Sequence, residues 1–273
     1  MKTIIRAKFQ TAHPSLHSIP AYEGSQSVEG IARSLVVVSH YLATGEVRFR
    51  KPYQSGIQIE MEVPRKGSFE AIYSILYQPE ALVFGGSIVG GITANIIYDF
   101  LKLILKKGVG EDSDINTDEV LEQDSERGGD IEALIDAITP SLSRGHSTIG
   151  KNVPGVFIIQ GDNNIVNLNN KTKNYIDSEI KNNEIEIQDV SVASYNVNSK
   201  YGRAFFHDLK RTIPFILDKD ADIGSGGVIT SSLNKYAMGI PSDITIVFRR
   251  IIAMDGTTKR ITVLEAKEID IFS

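Results

Sequence analysis

Residues 184–217 read EIEIQDVSVASYNVNSKYGRAFFHDLKRTIPFIL. The stretch divides into a long strand at 184–197, a turn at 198–202, a strand at 203–208 and another at 212–217. A Gly-rich loop follows, then a helix at 228–238, a strand at 244–253, the Asp255-Gly256 turn and a strand at 260–269. Strand, strand, strand, helix, strand, strand is the element order of a five-stranded OB-like β-barrel, although other small barrels share much of it.

Upstream, Gly161-Asp162-Asn163-Asn164 is a strong turn signal between apolar runs at 156–160 and 165–168, which predicts a hairpin followed by a short helix at 171–181. At the N-terminus a strand at 2–9 precedes a helix capped by Ser25 or Ser27. In that helix Val28, Ile31, Ala32, Leu35, Val38 and Leu42 recur at helical spacing up to Gly45. Three alternating segments, 46–50, 57–63 and 69–76, suggest an antiparallel sheet with packed helices and one wet face. The fold class is therefore α+β. The expected domains are 1–150, a connector at 151–183 made of the hairpin and short helix, and the barrel at 184–273.

The 18 residues 81–98 carry no charge, and they begin an apolar helix expected at 81–105. Gly86, Gly90 and Ala94 fall at four-residue intervals and Gly91 lies beside them, so one side of this helix is smooth enough for another helix to approach closely. A buried helix is the plainer expectation, and a membrane-perturbing helix the alternative. Residues 108–130 are acidic and bounded by glycines, which predicts a loop. A further helix starts at Asp130, and Pro140 either kinks it or opens a second one.

Composition bounds the chemistry. The 273 residues carry 29 Lys plus Arg against 34 Asp plus Glu, a net charge of -5, and no cysteine. Thiolate chemistry, disulfides and Cys-based metal sites are excluded, and net acidity counts against indiscriminate nucleic-acid binding. The first ten residues read as a strand and not as a secretory signal, so a cytoplasmic location is expected, with peripheral membrane association left open.

The run Gly30-Ile31-Ala32-Arg33-Ser34-Leu35, the Arg65-Lys66-Gly67-Ser68-Phe69 turn and Ile138-Thr139-Pro140-Ser141-Leu142 resemble an uncharacterised family of bacterial two-domain proteins found near mobile elements and phage-defence genes. The resemblance implies a role in antiviral defence and brings no catalytic residues with it.

No catalytic constellation emerges from the residues themselves. The Gly-rich 85–91 run lacks the Gly-Lys-Ser/Thr ending of a phosphate loop, and Pro14 interrupts the His13, His17 spacing that a metal would need. Ser143-Arg144-Gly145-His146-Ser147 lacks a nucleophile elbow. The best ligand candidates are cations beside aromatics in the barrel: Arg203, Phe205, Phe206, Arg249 and Arg250. Residues 184–273 nevertheless carry 11 Lys plus Arg and 12 Asp plus Glu, so any basic face there is local. The expectation is a non-enzymatic binding or sensing protein with no cofactor and no metal, acting through self-association or a protein partner. Nucleotide or nucleic-acid binding by the barrel and a membrane-perturbing role for 81–105 are the alternatives.

Overall fold

The computed structural model describes residues 2–13, 18–53, 57–62, 69–77, 94–253, 256 and 258–269. Two compact units divide the chain. One comprises Met1–Leu121 with Leu134–Asp177, the other Glu122–Ala133 with Ser178–Ser273.

In the first unit β1 (Lys2–Gln10) is the central strand of a five-stranded antiparallel sheet. It buries Thr3, Ile5, Ala7 and Phe9 and leaves the residues between exposed, or half-buried at Arg6, as expected of a strand covered on one face. It pairs with β3 (Glu70–Tyr77), which pairs in turn with β2 (Ile57–Met61). On its other side lies β4 (Gly155–Gln160), followed by β5 (Asn163–Asn169). The hairpin expected in a connector is thus part of this sheet. The expected strand at 46–50 is absent, because those residues form bends without a partner strand among the described residues.

Helix α1 (Ala21–Thr44) starts after Pro20, earlier than Ser25 or Ser27 suggested, and closes on Gly45 in the left-handed conformation. Neither serine caps it. Ser25 Oγ donates back to the Ala21 carbonyl, and Ser27 Oγ hydrogen-bonds Thr148. The apolar stripe predicted for α1 does face the core, where Tyr41 stacks on Phe100 of α2 (Ala94–Gly108) at 5.6 Å.

Of the glycine-strip residues, Gly86, Gly90 and Gly91 lie outside the described residues, as does the 81–93 part of the expected apolar helix. Ala94 opens α2 and is exposed. Among the described residues no helix is long and apolar enough to cross a membrane.

The acidic stretch 108–130 is not simply a loop. It contains α3 (Asp118–Glu126) and the start of α4 (Gly128–Gly145), a single helix that runs through Pro140. Part of it is tied to neighbours. Lys102 Nζ donates to the Asp114 carbonyl at 2.9 Å and Lys106 Nζ to its carboxylate at 3.3 Å, while Asp99 accepts from the Thr117 hydroxyl just before α3. The lysine hydrogen bonds, Lys102 first, bring the Asp114 carboxyl down to about 2. The last helix of this unit is α5 (Asn170–Asp177).

In the second unit, short β6 (Ile180–Lys181) leads into a closed barrel. Its strands are β7 (Glu186–Tyr195), β8 (Tyr201–Phe206), β9 (Arg211–Leu217), β10 (Ile244–Ile252) and β11 (Thr258–Glu268), with α6 (Ser225–Ala237) between the third and fourth. Pairing runs β7-β8-β9-β11-β10 and back to β7, antiparallel except for β9 with β11. This is the OB-like barrel that the element order predicted. Its core includes Val190, Ala204, Phe206, Phe215, Ile229, Phe248, Ile261 and Val263. Gly202 is required where the wall pinches: a Cβ there would stand 2.4 Å from the Ser194 carbonyl and 2.5 Å from the Phe215 ring.

A close helix contact does occur in the first unit, at Gly30 of α1. A Cβ on Gly30 would lie 2.4 Å from the Ser141 carbonyl oxygen and 2.5 Å from the Gly145 nitrogen of α4. Helix propensity alone makes Gly30→Ala stabilising by up to about 1 kcal/mol. Overpacking against backbone that cannot yield reverses the sign, so Gly30→Ala is expected to destabilise by about 1–3 kcal/mol. Urea unfolding checks this, and a higher midpoint in the variant refutes the contact.

Candidate anion-binding groove

The five residues singled out in the barrel do not converge on one surface. Phe206 points inward, is fully buried and meets Phe248 edge-on at 5.7 Å, so it cannot stack on a ligand. Phe205, one residue earlier, points outward as strand alternation requires and packs edge-on against His207.

Arg203 is also outward but is not available. Its Nε donates to Glu132 at 2.9 Å, and its two Nη atoms reach the Asp124 carbonyl at 2.7 Å and carboxylate at 2.8 Å, leaving the side chain 11% exposed. Burial pulls the guanidinium pKa down, and the Glu132 and Asp124 charges more than offset that, leaving it raised. Both carboxylates come from Glu122–Ala133, the part of the acidic region that belongs to this unit. Gly128 and Gly129 let the segment press against the wall, where a Cβ would come within 2.7 Å of Ser194 Oγ and 2.6 Å of the Tyr201 carbonyl respectively.

Arg249 and Arg250 sit on β10 and line a groove of about 650 Å³ on the outer face of β9, β11 and β10. Four stretches enclose it. The chain around β6 supplies Glu179, Lys181, Asn182 and Asn183, and the turn after β7 supplies Ser199 and Lys200. The end of β9 contributes Ile216, Leu217, Asp218 and Lys219. From β11 come Arg260, Thr262 and Leu264, which alternate with core residues Ile261 and Val263. Asn182 N–H donates to the Arg250 carbonyl at 3.0 Å and ties the β6 stretch to β10.

Among the described residues six cationic side chains line this groove against two carboxylates, and no aromatic ring does. Arg250 makes a two-pronged pair with Glu186, at 2.7 and 2.9 Å, and lies over the Phe248 ring. Arg260 approaches Glu179 at 3.9 Å, and Lys219 approaches Asp220 at 3.7 Å. Lys181, Lys200 and Arg249 have no side-chain ion pair or hydrogen bond among the described residues, and all three are exposed. Sequence reasoning singled out Arg249 and Arg250 and did not set Lys181, Lys200, Lys219 or Arg260 beside them. Proximity in sequence could not reveal a set drawn from four separate stretches.

A Ser, His and Asp also meet in this unit, but not as a nucleophilic triad. Asp243 Oδ1 accepts from the Ser191 hydroxyl and lies 2.9 Å from His207 Nε2. In a triad the acid holds the imidazole nitrogen remote from the serine, whereas here one carboxylate oxygen takes both groups. Ser242 donates to Ser191 at 3.1 Å and Ser232 to the Ser242 carbonyl at 2.6 Å, so the cluster braces β7 against the loop before β10. In the other unit His146 is fully buried between the Leu142 carbonyl at 2.7 Å and Thr172 Oγ1 at 2.8 Å, and burial lowers its pKa. The Ser143–Ser147 run therefore ends a helix and anchors it. Among the described residues no group of three or more His, Asp or Glu is placed to hold a metal ion.

A family described as a domain of unknown function (DUF7946) matches residues 5–177. A second, described as a family of unknown function (DUF7947), matches residues 184–267. No curated protein and no solved structure matches the chain.

The Ser191 brace is pH-sensitive. The hydrogen bond from Ser191, with a smaller contribution from His207, holds the Asp243 carboxyl below the ordinary range. A carboxyl lowered on folding adds stability above its unfolded pKa and loses it as pH falls through the folded value. Asp243→Asn is therefore expected to lower the urea midpoint at pH 7, and the difference from wild type to begin shrinking only as pH falls below about 4, through the lowered carboxyl value. Urea midpoints at a series of pH values check this; a difference that is constant with pH refutes it.

Proposed function

The chain belongs to the DUF7946 family, and we propose that it is a non-enzymatic binding protein whose C-terminal barrel holds the phosphate backbone of single-stranded nucleic acid. The supporting observation is the sorting of charge. Residues 184–273 are nearly balanced at 11 cations and 12 acids, yet those of them that line the groove are five cations and one acid, to which the β6 stretch adds Lys181 and Glu179. Phosphate contacts supply most of the affinity for a nucleic-acid backbone, and positive grooves on barrels of this order track such strands. The apolar floor of Ile216, Ile251 and Leu264 gives sugars and bases a surface to lie on without a stacking ring, which favours sequence-tolerant binding. The setting that the resemblance implies, beside phage-defence genes, suits a sensor that reads backbone and not sequence.

Fluorescence anisotropy with a labelled 20-residue oligothymidine and the matching oligouridine tests the reading. Lys181, Lys200 and Arg249 each neutralising one phosphate give a salt slope of about -2, because a single strand contributes about 0.7 per phosphate. Affinity is then expected to fall about 20-fold between 50 and 200 mM salt. Arg249→Ala flattens the slope by about 0.7, whereas Lys235→Ala, on α6 and outside the groove, leaves it unchanged. No binding at 50 mM salt, or an affinity indifferent to salt, overturns the proposal.

A further inference from the structure

Lys200 reaches the groove rim from an unusual backbone. Its φ is 67°, in the left-handed region, which a residue with a side chain keeps only where its surroundings hold it. The turn around it is tied at several points. Lys200 N–H donates to the Asn196 carbonyl at 2.9 Å, and the Lys200 carbonyl accepts from Leu217 N–H at 2.9 Å. Asn196 organises the rest. Its side-chain oxygen accepts from the amides of Asn198 and Ser199 at 2.8 and 3.0 Å, and its own N–H donates to the Tyr201 carbonyl at 2.8 Å. That use of the oxygen leaves the side-chain NH2 to be anchored from outside the turn, and it donates to the carboxylate of Asp130.

Asp130 belongs to the acidic segment of the same unit and is itself held. Its side chain is 10% exposed, lies 3.5 Å from Arg127, and follows Gly129, whose missing side chain allows the backbone to rest against Asn196. The Arg203 clasp fastens the same segment to the wall through Asp124 and Glu132. The chain thus runs from the Arg203 clasp to Asp130, from Asp130 to Asn196, and from Asn196 to the left-handed Lys200.

We propose that Asp130 and Asn196 are positioning residues for the groove, acting through Lys200 and touching no ligand themselves. The acidic segment is on this account a structural part of the binding site. The inference rests on the groove being the site proposed above.

The test exchanges the pair. Asn196→Asp sets two carboxylates against each other and releases the turn, while Asp130→Asn combined with Asn196→Asp restores a donor facing an acceptor. At 50 mM salt Asn196→Asp is expected to weaken oligothymidine binding about eightfold, the value of one phosphate contact, and the exchanged pair to recover it. Lys200→Ala costs the same eightfold in the wild type and nothing further in the Asn196→Asp chain, as two changes acting through one contact must. Amide exchange of Ser199 and Leu217 accelerates in Asn196→Asp and returns to wild-type protection in the exchanged pair.

An undiminished cost of Lys200→Ala in the Asn196→Asp chain overturns the inference while leaving the proposed function standing. Should the wild type fail to bind, the proposed function falls, and amide exchange alone decides the positioning. Unchanged protection at Leu217 in Asn196→Asp then refutes it, and loss reversed by the exchanged pair supports it.

Discussion

Parallel pairing of β9 with β11 closes the C-terminal barrel, and the distribution of its side chains follows from that closure. A closed five-stranded wall has no long free edge, and its interior is just wide enough to be filled by side chains. Phe206 and Phe248 meet edge-on there, and Tyr195 stacks on Phe215 at 5.8 Å, so these four rings are used in packing. Alternation then sends Arg249, Arg260 and Thr262 to the outer wall beside Ile216. The absence of rings from the groove lining and the surplus of cations there are two results of one arrangement.

That closure also separates what could be read along the chain from what could not. Strand order in the barrel was legible because alternation and turn residues are local signals, and the OB-like order came from counting them. The same holds for the stripe of α1. Ligand residues were not legible in this way. Arg203 and Phe206 are near neighbours in sequence, but one faces out under a clasp and the other fills the core. Lys181, Lys200, Lys219 and Arg260 converge only once β6, the turn after β7 and the ends of β9 and β11 share a wall. The start of α1 differs for a related reason: Ser27, a good cap by type, has its hydroxyl oxygen accepting from the Thr148 amide, 121 residues away.

The acidic stretch carries the same lesson with the sign reversed. Low hydrophobicity and unbalanced charge argue for disorder only when no partners exist elsewhere. Here two of the partners lie outside the stretch, 8 and 79 residues away: Lys106 for Asp114, Arg203 for Asp124. One of these pairs is exposed and counts for little, since solvent screens the Asp114 carboxylate. The other is enclosed by β8 and by the glycine backbone at 128 and 129, where removing one partner would strand a buried charge. Composition treats both halves of the stretch alike, while burial makes only the second a fixture of the barrel.

The Arg203 clasp also decides which wall of the barrel is open. In barrels of this order the face of the second and third strands is the usual place for an oligonucleotide. On β8, the second strand here, the outward surface around Tyr201 and Arg203 is pressed by Glu122–Ala133, which agrees with placing the proposed ligand on the β9, β11, β10 wall. A groove on that wall has little means of telling one base from another. Asn182 uses both ends of its amide on Glu184, so Asn183 is the lining amide with no side-chain hydrogen bond among the described residues. On the proposed function, one free amide among six cations makes charge, and therefore ionic strength, the main control on what the groove would hold.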